Sequence, residues 1–155
     1  MDYSGSDDND IINQAQLSIP KGSAIYGNKG DDEITVSDAN VLGGPGNDTI
    51  TSLTTYAAAA YWTSTSGIVA NLATGKVQDG LGGVDTLVNV RTIQASPFDD
   101  RILGSDADEI FWGHAGSNTI NGGAGVDTVV MWHDELDGMR HYFRHQKRYF
   151  HHQKE

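Results

Sequence analysis

The chain has 155 residues, 19 glycines, no cysteine and a formal net charge of −11 at pH 7. The length predicts one domain, and abundant glycine with 37% hydrophobic residues favours a thin, elongated solenoid over a thick globular core. The lack of cysteine excludes a cysteine nucleophile. We also expect no nucleic-acid partner.

The first five residues contain no basic segment followed by an apolar stretch. We therefore predict neither a cleavable signal peptide nor a transmembrane segment. Export, if it occurs, requires a route that does not use an N-terminal signal.

A nonapeptide rich in glycine and aspartate recurs along the chain. Loose copies begin at Gly5, Gly27 and Gly80, and residues 43–51 (GGPGNDTIT) match the pattern Gly-Gly-x-Gly-x-Asp-x-apolar-x at every position. Between the first two copies, residues 14–26 are predicted to form an irregular coil or a strand pair around Pro20.

Residues 52–79 interrupt the repeats. The stretch 56–62 (YAAAAYW) is compatible with a short helix or with strands, and we favour a hairpin that projects from the solenoid. Its aromatic residues suit sugar stacking, but packing against the side of the solenoid is the preferred interpretation.

Four units follow each other without a gap over residues 95–130. Their sixth positions hold Asp100, Glu109, Asn118 and Asp127, and the last unit, residues 122–130 (GGAGVDTVV), is a second full match. Because two nonapeptides make one coil, turns 18 residues apart are expected to stack. This pairs the turn at Ala95 with that at Gly113, and the turn at Gly104 with that at Gly122.

The repeat has a physical explanation. Its glycines permit a tight turn with carbonyl oxygens pointing inward, and its acid adds an anionic oxygen, so that the ligand set suits Ca²⁺. The apolar residue two places after the acid starts a short extended segment that faces a core. The predicted buried stack is Ile12, Ile34, Ile50, Leu87, Ile102, Phe111, Ile120 and Val129.

These motifs resemble the RTX family, the hemolysin-type calcium-binding repeats. The resemblance implies an all-β, right-handed parallel β-roll over residues 1–130, with 52–79 as a non-repeat insertion and several Ca²⁺ ions held between turns. Sixth-position carboxylates and turn carbonyls bind the metal in that family, which implies ligands at Asp32, Asp48, Asp85, Asp100 and Asp127. The full implied set of metal-site residues adds Asp10, Gly27, Gly30, Gly43, Gly44, Gly46, Gly80, Gly83, Gly104, Asp106, Asp108, Glu109, Gly113, Gly116, Asn118, Gly122, Gly123 and Gly125.

Two turns depart from the family pattern. Asn118 keeps an oxygen but loses the charge, and Glu109 is one methylene longer than aspartate, so that Asp106 or Asp108 is a candidate substitute for it. We expect weak or empty sites at these two turns.

The charge distribution supports metal binding independently. Residues 1–137 hold 20 of the 21 acidic and five of the ten basic residues, a net charge of −15, whereas residues 138–155 carry +4. Two carboxylates about 6 Å apart repel by roughly 3 kcal/mol at an effective dielectric constant near 20. We therefore expect the roll to be loose or unfolded without calcium.

The tail, residues 131–155, is basic and rich in histidine. Trp132, Leu136, Met139, Phe143 and Phe150 form a stripe typical of an amphipathic helix. We expect this helix to cap the solenoid; a binding surface for an anionic polymer, a membrane surface or a neighbouring roll, an expression remnant and an atypical export signal remain alternatives. The His141 and His145 pair is compatible with weak Zn²⁺ binding but not with a catalytic zinc site.

No catalytic motif is present in the chain, and no segment outside the repeats is long enough for an enzyme domain. We therefore predict a calcium-binding module, not an enzyme, with a structural or interaction role. The resemblance implies an extracellular or cell-surface location, reached by type I export.

The alternative function is an accessory module of a polysaccharide-modifying enzyme that binds acidic polysaccharide through Trp62, Lys76, Arg91 and Arg101. The candidate contact segments for such a ligand or for a neighbouring protein are 52–79 and 138–155. Ice binding is disfavoured because the threonines form no regular ladder.

Overall fold

A computed structural model describes residues 1–133, 142–144 and 148–153. Within these residues the regular structure consists of β-strands in two sheets, without a helix. Sheet A contains, in spatial order, β1 (Tyr3–Ser4), β3 (Ser23–Tyr26), β5 (Ala39–Leu42), β7 (Ala58–Ala60), β11 (Thr92–Gln94), β13 (Ile110–Trp112), β15 (Thr128–His133) and β17 (Arg148–Gln153). Sheet B contains β16 (Tyr142–Arg144), β14 (Thr119–Asn121), β12 (Arg101–Leu103), β8 (Val69–Asn71), β9 (Lys76–Gln78), β10 (Val84–Val88), β6 (Thr49–Ser52), β4 (Glu33–Val36) and β2 (Ile11–Asn13).

Outside residues 69–88 the chain alternates between the two sheets, and every described strand except β9 pairs in parallel with the equivalent strand of a neighbouring coil. In sheet B, for example, Ile12 is in register with Ile34 and Ile34 with Ile50. The strands are short because a glycine-rich turn follows every few residues. This architecture confirms the predicted all-β parallel β-roll.

The core lies between the sheets and follows the predicted period. All eight residues of the predicted buried stack are inside, the most exposed being Leu87 at 7%. Six of them lie on sheet B. Sheet A supplies Phe111 and Val129 together with the opposing side chains of Ile25, Val41, Ala59 and Ile93. Within a strand, burial alternates with exposure, as expected where one face packs on a core.

The predicted 18-residue stacking is also confirmed. Arg101 is in register with Thr119 in sheet B, and Ile110 with Thr128 in sheet A. The turn at Ala95 therefore stacks on the turn at Gly113, and the turn at Gly104 stacks on that at Gly122, on opposite edges of the roll.

The insertion differs from the projecting hairpin that the sequence suggested. Strands β8 and β9 do form an antiparallel hairpin, but it lies inside sheet B between β12 and β10. Pairing on both sides satisfies its backbone hydrogen bonds, and Ala70 and Val77 point into the core with 2% and 0% exposure. Residues 58–60 form a strand of sheet A, and Tyr61 is buried, in agreement with packing against the roll.

The other two segments outside the repeat continue the same architecture where they are described. Residues 14–22 form a turn in which the Gln14 amide contacts the main chain at Pro20, Ser37 and Asp38, and Ser23–Tyr26 is a strand. In the tail, β16 pairs with β14 and β17 with β15. The other residues over which the C-terminal helix was predicted, including His141 and His145, lie outside the described residues.

No helix in the part of the chain that the structure describes is long and apolar enough to cross a membrane.

Candidate metal centre

Stacked turns approach each other closely at their glycines. Gly44 and Gly46 adopt φ values of 102° and 151°, which side chains rarely adopt. A Cβ atom on Gly44 would collide with the carbonyl oxygen of Asn28, and one on Gly46 with that of Gly30. Glycine is therefore required here by conformation and by space, and the carbonyl oxygens of one turn face the next.

Four sixth-position acids form a continuous row along one edge of the roll, which we call the carboxylate row: Asp10, Asp32, Asp48 and Asp85. The backbone N–H of Asp10 donates to Oδ1 of Asp32 at 2.8 Å, and that of Asp32 donates to Oδ1 of Asp48 at 2.9 Å. The Asp48 N–H donates to Oδ1 of Asp85 at 3.1 Å. Each bond joins one coil to the next, so that the acids align along the roll.

The second oxygens of two acids in this row have no hydrogen-bond donor. Oδ2 of Asp32 and of Asp48 is buried, and the two residues are 3% and 0% exposed. Oδ2 of Asp100, at the same edge of sheet B, is in the same situation. A buried carboxylate oxygen without a donor is costly, whereas a hard cation would satisfy it.

The space beside these oxygens is kept free by glycine. A Cβ on Gly27 would collide with Oδ2 of Asp32 and with the Gly43 carbonyl oxygen. A Cβ on Gly43 would collide with Oδ2 of Asp48. Carboxylate and carbonyl oxygens therefore converge on the inner side of these turns, and this oxygen-only set fits Ca²⁺.

Burial disfavours the charged form of the acids. It raises the pKa of Asp48 and of Asp85 to about 7, with neighbouring carboxylates adding to the effect, and the pKa of Asp100 to about 6. Burial also raises the pKa of Asp32. Without a cation, these four carboxyl groups therefore keep a proton to higher pH than an exposed aspartate does.

At the two ends of the carboxylate row, other groups of the protein donate hydrogen bonds to the Oδ2 atoms. Oδ2 of Asp10 accepts hydrogen bonds from the Ser6 backbone N–H at 2.6 Å and from the Ser6 hydroxyl at 3.0 Å. Oδ2 of Asp85 accepts the Tyr61 hydroxyl at 3.0 Å. These acids occupy the predicted register. Both oxygens of Asp85 already have donors, whereas both donors to Asp10 contact its Oδ2.

The turn 113–118 is satisfied by its own side chain. Oδ1 of Asn118 accepts the Asp100 N–H at 2.9 Å, as the acids of the row do. Its Nδ2 donates to the carbonyl oxygens of Gly113 and Ala115. The side-chain amide therefore uses turn carbonyls that would otherwise be available to a metal.

The opposite edge of the roll holds Glu109 and Asp127. The Glu109 N–H donates to Oδ1 of Asp127 at 3.1 Å, and the carboxylate of Glu109 accepts the backbone N–H and the hydroxyl of Ser105. Asp108 accepts the Val126 N–H at 2.7 Å instead of replacing Glu109, and Asp106 is exposed. Glu109 itself thus occupies the acidic place in this turn.

One buried acid was missed by the sequence reasoning. Asp79 is 1% exposed, and its Oδ1 accepts the N–H groups of Leu81 and Gly83 at 2.8 and 2.9 Å. Its Oδ2 is buried without a donor. Asp79 does not occupy a sixth repeat position, so that only its place directly before the glycine-rich stretch 80–83 could have indicated it.

Carboxylates alone do not make a metal cluster. In the described residues, no three His, Cys, Asp or Glu side chains come together to hold a metal ion, so a bound cation needs main-chain carbonyls as well. The Nε2 atom of His114 is buried without a hydrogen bond. Its φ of 45° shows that histidine here takes the left-handed conformation that glycine adopts at the equivalent Gly44 and Gly123.

A comparison with protein families decides the nature of the repeat. Residues 92–130 match the family model of the RTX calcium-binding nonapeptide repeat, in four copies. This segment is a run of RTX repeats. No curated protein matches the chain. Four RTX repeats on a parallel β-solenoid support a calcium-binding β-roll module.

Proposed function

We propose that the protein binds several Ca²⁺ ions in the stacked turns and that binding drives the folding of the roll. The observation that carries this proposal is the pair of buried Oδ2 atoms of Asp32 and Asp48, which have no donor and lie beside glycines that leave room for an ion. Calcium would supply positive charge to these turns, and the protein supplies aligned oxygens on a β-sheet edge.

The strongest sites are proposed along the central part of the carboxylate row. Asp32 and Asp48 act there with the carbonyl oxygens of turns 27–32 and 43–48. Asp100 and Asp127 are proposed ligands in the C-terminal repeats. Weaker sites are proposed at the turns of Asp10 and Glu109, where internal donors already contact the carboxylates. A weaker site is also proposed at the turn of Asn118, because the side-chain amide donates to a turn carbonyl.

Several sites are needed for a large effect on folding. Calcium at about ten times its dissociation constant stabilises the folded state by only roughly 1.4 kcal/mol per site. Adjacent sites share the row, since one acid lies between two turns. Binding is therefore expected to be cooperative, and the product is a stiff rod.

We further propose a secreted module with a structural or interaction role outside the cell, as a surface-layer, matrix, adhesin or accessory segment. A calcium-dependent roll suits such a location, because calcium modules of millimolar affinity are typical of extracellular proteins. We propose residues 131–155 as the cap of the roll, which the pairing of β16 and β17 with the last coil supports.

The polysaccharide alternative gains no support from the arrangement of its residues. Trp62 follows β7 and Arg91 precedes β11, and because these strands are parallel neighbours, the two residues lie at opposite edges of sheet A. Lys76 and Arg101 lie on sheet B. The four side chains therefore do not form one groove.

Isothermal titration calorimetry on calcium-free protein tests the proposal. Ca²⁺ should bind with a stoichiometry above one. Mg²⁺ should not compete at the same concentration, because it demands near-ideal octahedral geometry and loses its water reluctantly. Absence of calcium binding would refute the function. Fractionation of cells that produce the complete protein would test the location, which intracellular retention would contradict.

A further inference from the structure

The repeat that begins at Gly80 has an unusual route into its turn. In the regular coils the chain reaches the turn from sheet A, but here it arrives from β9, which is antiparallel to β10 in the same sheet. The second half of the turn still stacks normally, since Thr86 is in register with Thr49. The first half is therefore a hairpin loop, and it brings Asp79 to the edge that carries the carboxylate row.

The acid expected from the repeat is already occupied in this turn. One oxygen of Asp85 accepts the Asp48 N–H at 3.1 Å, and the other accepts the Tyr61 hydroxyl at 3.0 Å. Tyr61 and Asp85 are 4% and 1% exposed, so that water cannot readily replace this contact. Asp85 thus lacks the donor-free oxygen that Asp32 and Asp48 present.

Asp79 has the oxygen that Asp85 lacks. Its Oδ1 is fixed by the N–H groups of Leu81 and Gly83, and its main-chain carbonyl accepts the Ser64 hydroxyl at 2.5 Å. Its Oδ2 is buried without a donor. A Cβ on Gly83 would lie 2.9 Å from this Oδ2 and would collide with the Gly46 carbonyl oxygen, so both oxygens lie on the same side of Gly83.

We propose that Asp79, from the hairpin insertion, replaces Asp85 as the carboxylate ligand of the calcium site between the turn 43–48 and the loop 79–83. This inference rests on the proposed calcium binding. Asp79 Oδ2 supplies the negative charge from the loop, and the turn 43–48 contributes its carbonyl oxygens and the donor-free Oδ2 of Asp48. The insertion therefore extends the metal-binding row instead of interrupting it.

The matched variants Asp79→Asn and Asp85→Asn test this assignment in the full chain. Each amide keeps the oxygen that accepts backbone N–H groups, so that the loop and the row retain those bonds while one charge is removed. Calorimetric titration with Ca²⁺ should show the loss of one ion, or about tenfold weaker binding at one site, for Asp79→Asn, because calcium affinity follows the ligand charge count. The stoichiometry of Asp85→Asn should equal that of the unmodified protein.

The opposite pattern, with loss only in Asp85→Asn, would overturn the assignment, and so would equal loss in both variants. Circular dichroism in saturating calcium identifies a variant that does not fold. In that case Asp79→Glu, which keeps the charge but moves the carboxylate, should weaken one site, and unchanged binding would overturn the proposal. If the unmodified protein bound no calcium, the proposed function itself would fail, which is a distinct result.

Discussion

Turns 43–48 and 113–118 have the same backbone role and opposite polar chemistry. Both precede a strand of sheet B, and in both the sixth residue accepts a backbone N–H from the neighbouring coil. In the first turn the remaining side-chain atom is a buried carboxylate oxygen without a donor, whereas in the second it is an amide nitrogen that donates to Gly113 and Ala115. We propose that a cation occupies the first turn, whereas the second turn carries its own donor.

This difference means that a match to the repeat motif does not by itself indicate a calcium site. The family match covers residues 92–130, which include the self-satisfied turns of Glu109 and Asn118. Asp32 and Asp48 lie outside that match. A regular repeat therefore identifies the coil, and we expect the atoms around the sixth side chain to decide how strongly a turn depends on calcium.

The largest effect is expected from Asp48→Asn, which removes a charge between two stacked turns. In calcium, the loss of two sites should lower the free energy of unfolding by roughly 3 kcal/mol. In calcium-free buffer the same change should raise it, because a buried carboxylate without a donor disappears while the Asp32 N–H keeps its acceptor. Thermal unfolding in both buffers measures the change in the free energy of unfolding and its sign. Asp106→Asn, at an exposed turn position, is the control. A decrease in both buffers would contradict the cation requirement.

Protonation should imitate calcium in the same turns. The folded-state pKa values of Asp48 and Asp85 are raised to about 7 and that of Asp100 to about 6, so their stabilising contribution is complete below the unfolded pKa near 3.8 and is lost as pH rises through 6 to 7. Calcium-free protein should therefore lose roughly 2 kcal/mol or more of stability between pH 5 and pH 8.

The apparent calcium affinity should change in the opposite direction, increasing with pH as protons leave the carboxylates. Unfolding experiments in resin-treated buffers and calorimetry at each pH measure the two trends. If the free energy of unfolding of the calcium-free protein rose between pH 5 and pH 8, this would contradict the claim that burial disfavours the charged form of these acids.

Asn118→Asp should give the turn 113–118 the polar chemistry of the turn 43–48. In calcium-free buffer the variant should lose about 1 to 3 kcal/mol, since the donor to two carbonyls is replaced by a buried carboxylate. Calcium should restore this stability and add one bound ion. Asn118→Ala serves as the control, because it loses the same donor without gaining a charge and should not recover in calcium.

The smallest effect is expected from Lys29→Ala. Lys29 and Asp7 form an ion pair at 2.6 Å, but their side chains are 68% and 65% exposed. Solvent screens such pairs, so that stability and calcium affinity should stay within measurement error of the unmodified protein. A marked loss of calcium affinity would show that exposed charges, rather than the buried row, control binding.

The sequence predicted the coil well because the repeat encodes it locally. The period of nine placed Ile34, Ile50 and Phe111 in the core, and the 18-residue stacking followed from two units per coil. The insertion was harder, because 69–71 pairs with β12, which is distant in the sequence, and because the repeat pattern does not encode the local pairing of 76–78 with β8 and β10. For the same reason, the Tyr61 contact to Asp85 and the donor-free oxygen of Asp79 could not be predicted from spacing.

A calcium titration of chelator-treated protein, followed by far-ultraviolet circular dichroism and hydrodynamic radius with Mg²⁺ as control, tests the central claim most directly. We expect a cooperative gain of β-structure together with compaction, specific to Ca²⁺. A full β-spectrum and a compact radius in chelator, unchanged by calcium, would contradict calcium-coupled folding of the roll.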